Sequence, residues 1–334
     1  MGLRGYIARR ALTMLGVLVV IAAINFFLFQ VLPFVVLGIN PERWYVPITN
    51  PRDVQASLKA QQQVIAAMGF DKPLPARFLT YLYSMFTFNF GYNVGVSLTG
   101  PVISTIARFA PFTILLLGSS TVASFLIGIY IGVISAARRG HVLDVASFTT
   151  LLFFYAMPSF WIGMILLVFF AYSLHLFPIS ADRALSGVTG LGFVQALLKS
   201  MTLPFISLTI ISIGGVYLIM RNTTIDVLSE DYIMMERAKG LPERQILYKH
   251  ALRNAILPII TLFAISMGFI LSGAVITETI FSWPGLGYWS YMAIEELDFP
   301  FEQAIFFVIS VMVVLANFIA DILYGFLDPR VRTG

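Results

Sequence analysis

The sequence contains no cysteine, which excludes disulfides, thiolate metal sites and a thiol nucleophile. It has only three histidines, His141, His175 and His250, far apart along the chain. Neither an H-E-x-x-H nor a G-x-S-x-G pattern occurs, so the usual parts of a membrane protease or hydrolase are missing. No G-x-x-x-x-G-K-[ST] loop is present to cradle phosphates, so the chain lacks the usual nucleotide-hydrolysing motif. Charge is scarce as well. Of 334 residues, 11% are charged, against about 25% in a soluble domain. What fills the space is apolar: 58% of residues are hydrophobic and the mean hydropathy is +0.87.

Six long apolar runs stand out, at about Ala11–Leu37, Pro111–Ala137, Val145–Leu174, Met201–Met220, Ala255–Thr277 and Ala304–Leu327. Each approaches or exceeds the roughly 20 residues that cross a bilayer as a helix. Continuous runs of this kind do not show the alternation of barrel strands, so an all-α membrane protein is expected. The first run is too long for the core of a signal peptide and no small-x-small cleavage site follows, so it reads as a retained span. Arg4, Arg9 and Arg10 precede the first span, Arg138 and Arg139 follow the second, six basic residues follow the fourth, and Arg330 and Arg332 end the chain. The loop after the fifth span has Glu278, Glu295, Glu296, Asp298 and Glu302 but no Lys or Arg. The bias of basic residues puts both termini in the cytoplasm. Pro158 and Pro204 lie within the third and fourth runs, as hinges or as ordinary kinks, and Gly128-x-x-x-Gly132 would permit close helix contact. Asn25 and Asn317 are polar groups suited to holding helices together, and Asp321 is the one charge well inside a run.

Three regions follow from this reading: 1–37 as cytoplasmic tail and first span, 38–109 as an extracytoplasmic cap, and 110–334 as a core of five spans. The cap is proline-rich, with a short helix expected over Asp53–Ala67 and an aromatic stretch, Tyr81–Tyr92, suited to the headgroup region. Within the core, 221–253 is a polar island. Of 21 Lys and Arg and 17 Asp and Glu in the chain, 11 fall within Arg221–Arg253. Its pattern predicts two helices, Thr224–Lys239 and Glu243–Ala251, with Gly240 as the stop and Pro242 in the next first turn. Ile225, Leu228, Tyr232, Met235 and Ala238 fall near helical spacing. Such a helix can dock in a groove of another protein or lie on the inner leaflet; six basic against five acidic residues argue against simple binding to anionic lipid.

The island resembles the cytoplasmic EAA loop of binding-protein-dependent ABC importer permeases of the oligopeptide/dipeptide class. EDYIMMERAKG (Glu230–Gly240) resembles the class's acidic-Tyr start and A-R-A-K-G end, and HALRNAILP (His250–Pro258) its continuation. Met234, Met235 and Glu236 stand where the generic E-A-A triad falls. MGFDKPLPARFLTYL (Met68–Leu82) is similar to its external L-D-K-P-L stretch, ETIFSWPGLG (Glu278–Gly287) to its loop after span five, and NFIADILYGFLDPRVR (Asn317–Arg332) to its C-terminal ending. Phe88-Asn89-Phe90-Gly91 replaces a G-D-x-G-like turn.

The resemblance implies a six-helix type I importer permease fold and a non-enzymatic role. The expected partners are a homologous second permease subunit, two ABC ATPases, an extracytoplasmic substrate-binding protein and the lipid bilayer, with no nucleic acid. No cofactor is expected in this chain; ATP and Mg would sit on the ATPases. Coupling falls to Tyr232, Met235, Glu236, Arg237, Ala238, Lys239 and Gly240, with His250, Arg253 and Asn254 in support. Trp283, Pro284, Gly285 and Gly287 form a rigid outer turn, read as an external gate, a binding-protein contact or an interfacial anchor. Di- or oligopeptide is the first expectation for cargo, with oligosaccharide or nickel as alternatives. An ion-coupled secondary transporter would need buried carboxylates and inverted repeats, neither of which is evident, and a scaffold would not need the Phe281–Gly287 turn.

Overall fold

The structure, a computed structural model, describes residues 3–38, 62, 65, 69–95, 97–270 and 274–327. Helix α1 (Leu3–Phe26) continues through a π-helical turn, Phe27–Val31, into α2 (Leu32–Leu37). Then come α3 (Leu74–Phe86), α4 (Val102–Ala137), α5 (Val142–Tyr155) and α6 (Ser159–Leu166), the last extended by π-helical Leu167–Ser173. A short α7 (Ala181–Leu185) precedes the long α8 (Gly190–Leu228). Next are α9 (Asp231–Ala238) and α10 (Glu243–Gln245), and π-helical Ile246–Ala251 leads into α11 (Leu252–Ala255). The last described elements are α12 (Leu257–Gly268), α13 (Val275–Ile280), α14 (Leu286–Glu295) and α15 (Phe299–Leu327). Among the described residues the only β feature is an isolated bridge, Tyr92 to Pro101. The helix expected over Asp53–Ala67 lies outside the described residues, apart from Gln62 and Ile65.

Among the described residues, four stretches are long and apolar enough to cross a membrane alone: Ile7–Val36, Val102–Ala137, Gly190–Leu228 and Phe299–Ile319. Two more qualify as bent pairs, Val142–Tyr155 with Ser159–Ser173 at 95° and Glu243–Ala255 with Leu257–Gly268 at 49°, which brings the number to six. The third run is therefore not one straight span. Pro158 adopts an extended conformation (φ −60°, ψ 133°), as its ring allows but a helix interior does not. The preceding helix closes on itself, with Ala156 N donating to Leu152 O and Met157 N to Phe154 O, and the next begins on the Pro158 carbonyl. Pro258 sits in the first turn of α12, where its missing N–H costs nothing. The fifth run also differs from expectation: its helix ends at Gly268, not Thr277.

The chain divides into two compact units: Met1–Phe112 with Leu271–Val275 and Gly285–Gly334, and Thr113–Ile270 with Ile276–Pro284. In the first, α1 packs along α15 around Ala22, Phe26, Ala304 and Phe307, and α3 adds Tyr81 and Met85. Tyr81 is thus core, whereas Tyr83 and Tyr92 are exposed. Asn25 Nδ2 donates to the Gln303 carbonyl at 2.9 Å, the helix-to-helix tie expected of it. The Arg77 guanidinium donates to Gln30 Oε1 (3.0 Å) and to the Gln30 carbonyl (3.3 Å), next to the π turn. Acidic residues that served only as an orientation signal in the sequence do structural work here. Asp298 accepts from the amides of Val94, Gly95 and Phe301, and Glu296 accepts from the Ser97 amide and hydroxyl.

In the second unit α4 lies directly on α8. A Cβ on Gly128 would come within 2.8 Å of Val216 Cβ, and one on Gly132 within 2.9 Å of Met220 Cβ, so the glycine pair is what allows the approach. Phe125, Val133, Val216, Met220, Ala255 and Ile259 form the core around this contact. On another face of α8, Gly214 abuts α5: an added Cβ would meet Tyr155 Cβ at 2.5 Å.

Candidate functional site

The polar island is built as a bent helical elbow. The long α8 does not stop at the apolar run but continues to Leu228, so Arg221–Leu228 extends a span helix. Ser229 and Glu230 break it, with Ser229 Oγ bonding back to Asp226 O at 2.6 Å. Helix α9 then starts at Asp231, whose carboxylate suits the positive end of the helix dipole. One helix over Thr224–Lys239 is thus replaced by two. At the far end Gly240 is left-handed (φ +77°), with its N–H donating to Arg237 O. Such a φ favours glycine because it lacks a Cβ. Pro242 follows as the N-cap of the next helical segment, Glu243–Ala255.

The elbow has its own apolar core. Ile233, Ile246 and Ala251 are fully buried, flanked by Val227, Leu228 and Leu241. Each buried isoleucine is worth about 1.5–3 kcal/mol relative to exposure. Ile233 faces inward, whereas Tyr232, Met235 and Ala238, the stripe read as able to dock, are exposed, as is Met234. Met234 and Met235 are 65% and 61% exposed, two adjacent large apolar side chains on a helix that also exposes Asp231 and Arg237, with exposed Lys239 beside it.

Polar ties then stiffen the elbow. Asn254 Nδ2 donates to the Tyr232 hydroxyl at 2.8 Å, joining a residue expected to couple to one expected to support it. The Arg237 guanidinium holds both oxygens of Glu243 across the Gly240 turn (2.9 and 3.4 Å). Lys239 bonds Glu236 at 3.0 Å and thereby holds the Glu236 carboxyl below its ordinary pKa. Thr223 Oγ1 reaches the Ala255 carbonyl (3.1 Å), tying α8 to α11. His250 is half-buried, with Nε2 unbonded among the described residues, and Arg253 is exposed.

A second cluster lies where α8 leaves the apolar core, and the sequence reading did not find it. Asp144 accepts Arg221 Nε (2.6 Å) and Nη2 (2.8 Å), the Ser135 hydroxyl (2.5 Å) and the Gly140 amide (2.9 Å). Tyr217 OH meets Ser135 Oγ at 2.8 Å, and Phe148 lies under the Arg221 guanidinium. One carboxylate thus joins the end of α4, the start of α5 and the inner part of α8. The sequence offered a signal, because Asp144 immediately precedes the third apolar run, but a charge just outside a run looks like any loop charge.

The turn expected at the outer face is packed inside, unlike the exposed elbow. Trp283, Pro284, Gly285 and Gly287 are all buried, Trp283 completely. The Trp283 amide donates to the Glu278 carbonyl (2.8 Å), while the carbonyls of Phe281 and Ser282 accept from the amides of Ala181 and Asp182. Among the described residues no group of three His, Asp or Glu comes together as a metal site.

Residues 128–333 match the family described as the binding-protein-dependent transport system inner membrane component. The chain is 34% identical over 346 residues to the Di/tripeptide transport system permease protein DppB of Pseudomonas aeruginosa, covering 98% of each chain. It is 33% identical over 327 residues to the Oligopeptide transport system permease protein AppB of Bacillus subtilis, covering 98% of this chain and 99% of that one. It is also 33% identical over 290 residues to the Dipeptide transport system permease protein DppB of Escherichia coli, covering 81% and 84%. Together with the all-helical fold and its six candidate spans, these matches show that the chain belongs to the binding-protein-dependent transport system inner membrane components, as a multi-pass, non-enzymatic permease subunit of an ABC importer.

Proposed function

We propose that this permease forms one half of an importer pathway for di- and oligopeptides, with the elbow Asp231–Ala255 as its point of attachment to an ATPase. The di/tripeptide, dipeptide and oligopeptide permeases it resembles support peptide as the cargo, at 33–34% identity over most of the chain. The other half of the pathway is a homologous permease, and an external binding protein delivers the cargo. Both termini and the elbow face the cytoplasm, in keeping with the basic residues around them.

The observation that carries the docking role is the exposed Met234–Met235 pair on a helix anchored from behind by Ile233. An apolar, adaptable side chain on a rigid helix suits a groove on another protein. Because the Tyr232–Asn254 and Arg237–Glu243 bonds fix the elbow, displacement of α9 passes to α8 and α12. ATP then acts by binding one arrangement of the complex better than the other. Glu236 and Arg237 are engaged within the elbow, which makes the methionines the better probes. Replacing both by Glu should lower ATPase association by tenfold or more, the usual scale for central interface side chains. Uptake and binding-protein-stimulated ATP hydrolysis should fall together. Unchanged association and uptake in that variant would remove the elbow from the docking role. The burial of Trp283, Pro284, Gly285 and Gly287 favours a gate over a direct binding-protein contact for the outer turn. Identifying the ligand that co-purifies with the binding protein tests the peptide reading: an oligosaccharide or nickel there would replace it.

A further inference from the structure

The second unit carries a half-open cavity of about 230 Å³ whose lining is neutral and rich in hydroxyls. Thr121 and Ser124 reach it from α4, Tyr155 from the end of α5, Ser212 and Gly215 from α8, and Ser266 from α12. Thr121 and Ser124 lie near the middle of α4, and Ser212 and Gly215 near the middle of α8. Both helices are candidate spans, so the cavity sits near mid-membrane depth. The hydroxyls there are not all spent on their own helices. Ser124 donates to the Thr121 carbonyl and Ser266 to the Leu262 carbonyl, each at 2.8 Å. Thr121, Ser212 and Tyr155 make no side-chain hydrogen bond among the described residues. Polar groups at such a depth are costly unless they face a partner or a wet cavity.

The arrangement also looks built. Tyr155 is the last residue of α5 before the 95° break at Pro158, and its ring lies against the paired glycines of α8. A Cβ on Gly214 would collide with Tyr155 Cβ at 2.5 Å, and one on Gly215 would press on Tyr155 Cε2 at 3.3 Å. The glycines thus seat the phenol at the cavity wall, beside the span broken by 95°.

We infer that this cavity is a way station on the transport path, where the free hydroxyls of Thr121, Ser212 and Tyr155 bond the backbone amides of a passing peptide. The inference rests on the peptide reading above. A hydroxyl both donates and accepts, as an amide group requires of its partner. The lining contains no ionisable carboxylate or cation, so it holds the uncharged backbone and ignores side-chain charge. Binding of that kind is weak, and a transport site must release what it takes up. The volume falls below that of sites enclosing drug-sized ligands, so it seats only a short part of the cargo at a time.

The test uses the complete complex, with both permeases, the ATPases and the binding protein, in proteoliposomes with radiolabelled trialanine. The triple variant Thr121→Val, Ser212→Ala, Tyr155→Phe should cut uptake about tenfold or more, each lost hydrogen bond counting about two- to fivefold. ATP hydrolysis stimulated by the loaded binding protein should stay within about twofold of the parent, a split that a general loss of structure would not give. The single variant Ser212→Cys provides the second measurement, since the chain has no other cysteine: trialanine should slow its maleimide labelling during turnover. If the triple variant fails to assemble, this labelling decides alone. Full uptake by an assembled triple variant, or labelling indifferent to trialanine, overturns the way station. A parent complex that takes up no short peptide overturns the peptide reading instead, a separate result.

Discussion

Asp144 and Arg221 show how much one residue pair can change a reading. In the sequence Arg221 opens a water-facing island and Asp144 is a stray loop charge before the third run. In the structure the Asp144 side chain is 4% exposed, the Arg221 side chain 16%, and the two form a bidentate pair. The net worth of such a pair is modest, because desolvation offsets attraction, but removing one partner leaves a buried charge. Asp144→Ala and Arg221→Ala should therefore each destabilise the subunit by about 3–5 kcal/mol. The double variant should cost clearly less than the two singles combined. Thermal midpoints of the purified complex, followed by size exclusion, measure this; strict additivity would mean that the pair does not interact. Nothing in residue spacing connects positions 77 apart, so only folding could reveal this contact.

At the scale of elements, the apolar runs located the spans but not the helices. Helices α4 and α8 extend well past their apolar runs, since helix geometry persists into water while hydropathy does not. The third run looked continuous, yet Pro158 and its neighbours fold it into two arms at 95°. Periodicity in the island marked Tyr232, Met235 and Ala238, which α9 exposes, but not Ile233, because Ile233 and Ile246 come together only when the elbow closes at Gly240. Gly240 itself was legible as a stop. Nothing crowds a Cβ there, so only its φ of +77° demands glycine. Gly240→Val should strain the elbow by about 1–2 kcal/mol and weaken ATPase stimulation. Gly240→Asn, which tolerates left-handed geometry, should stay near the parent. Equal activity of the two variants would show that the turn is not under conformational constraint. The α4–α8 contact gives a parallel expectation. Gly128→Leu has to displace Val216 and should destabilise by about 1–3 kcal/mol, read as a lower thermal midpoint.

At the scale of the whole molecule, the lack of cysteine makes topology directly measurable. Met235→Cys on the elbow should react with a membrane-impermeant maleimide only after cells are opened. Ser186→Cys, in the exposed turn between α7 and α8, should react in intact spheroplasts. The opposite pattern would invert the orientation and remove the elbow from the ATPase side. The sequence by itself determined that the chain is a multi-pass helical membrane protein, where its charge collects, and which family its motifs match. Those properties depend on composition and local order, since lipid demands apolar runs and water demands charge. Only the tertiary structure decided that Asp144 closes on Arg221, that Tyr155 rests on the Gly214–Gly215 pair, and that Trp283 is buried. Such contacts join residues distant along the chain, and their energies exist only once helices have packed and excluded water.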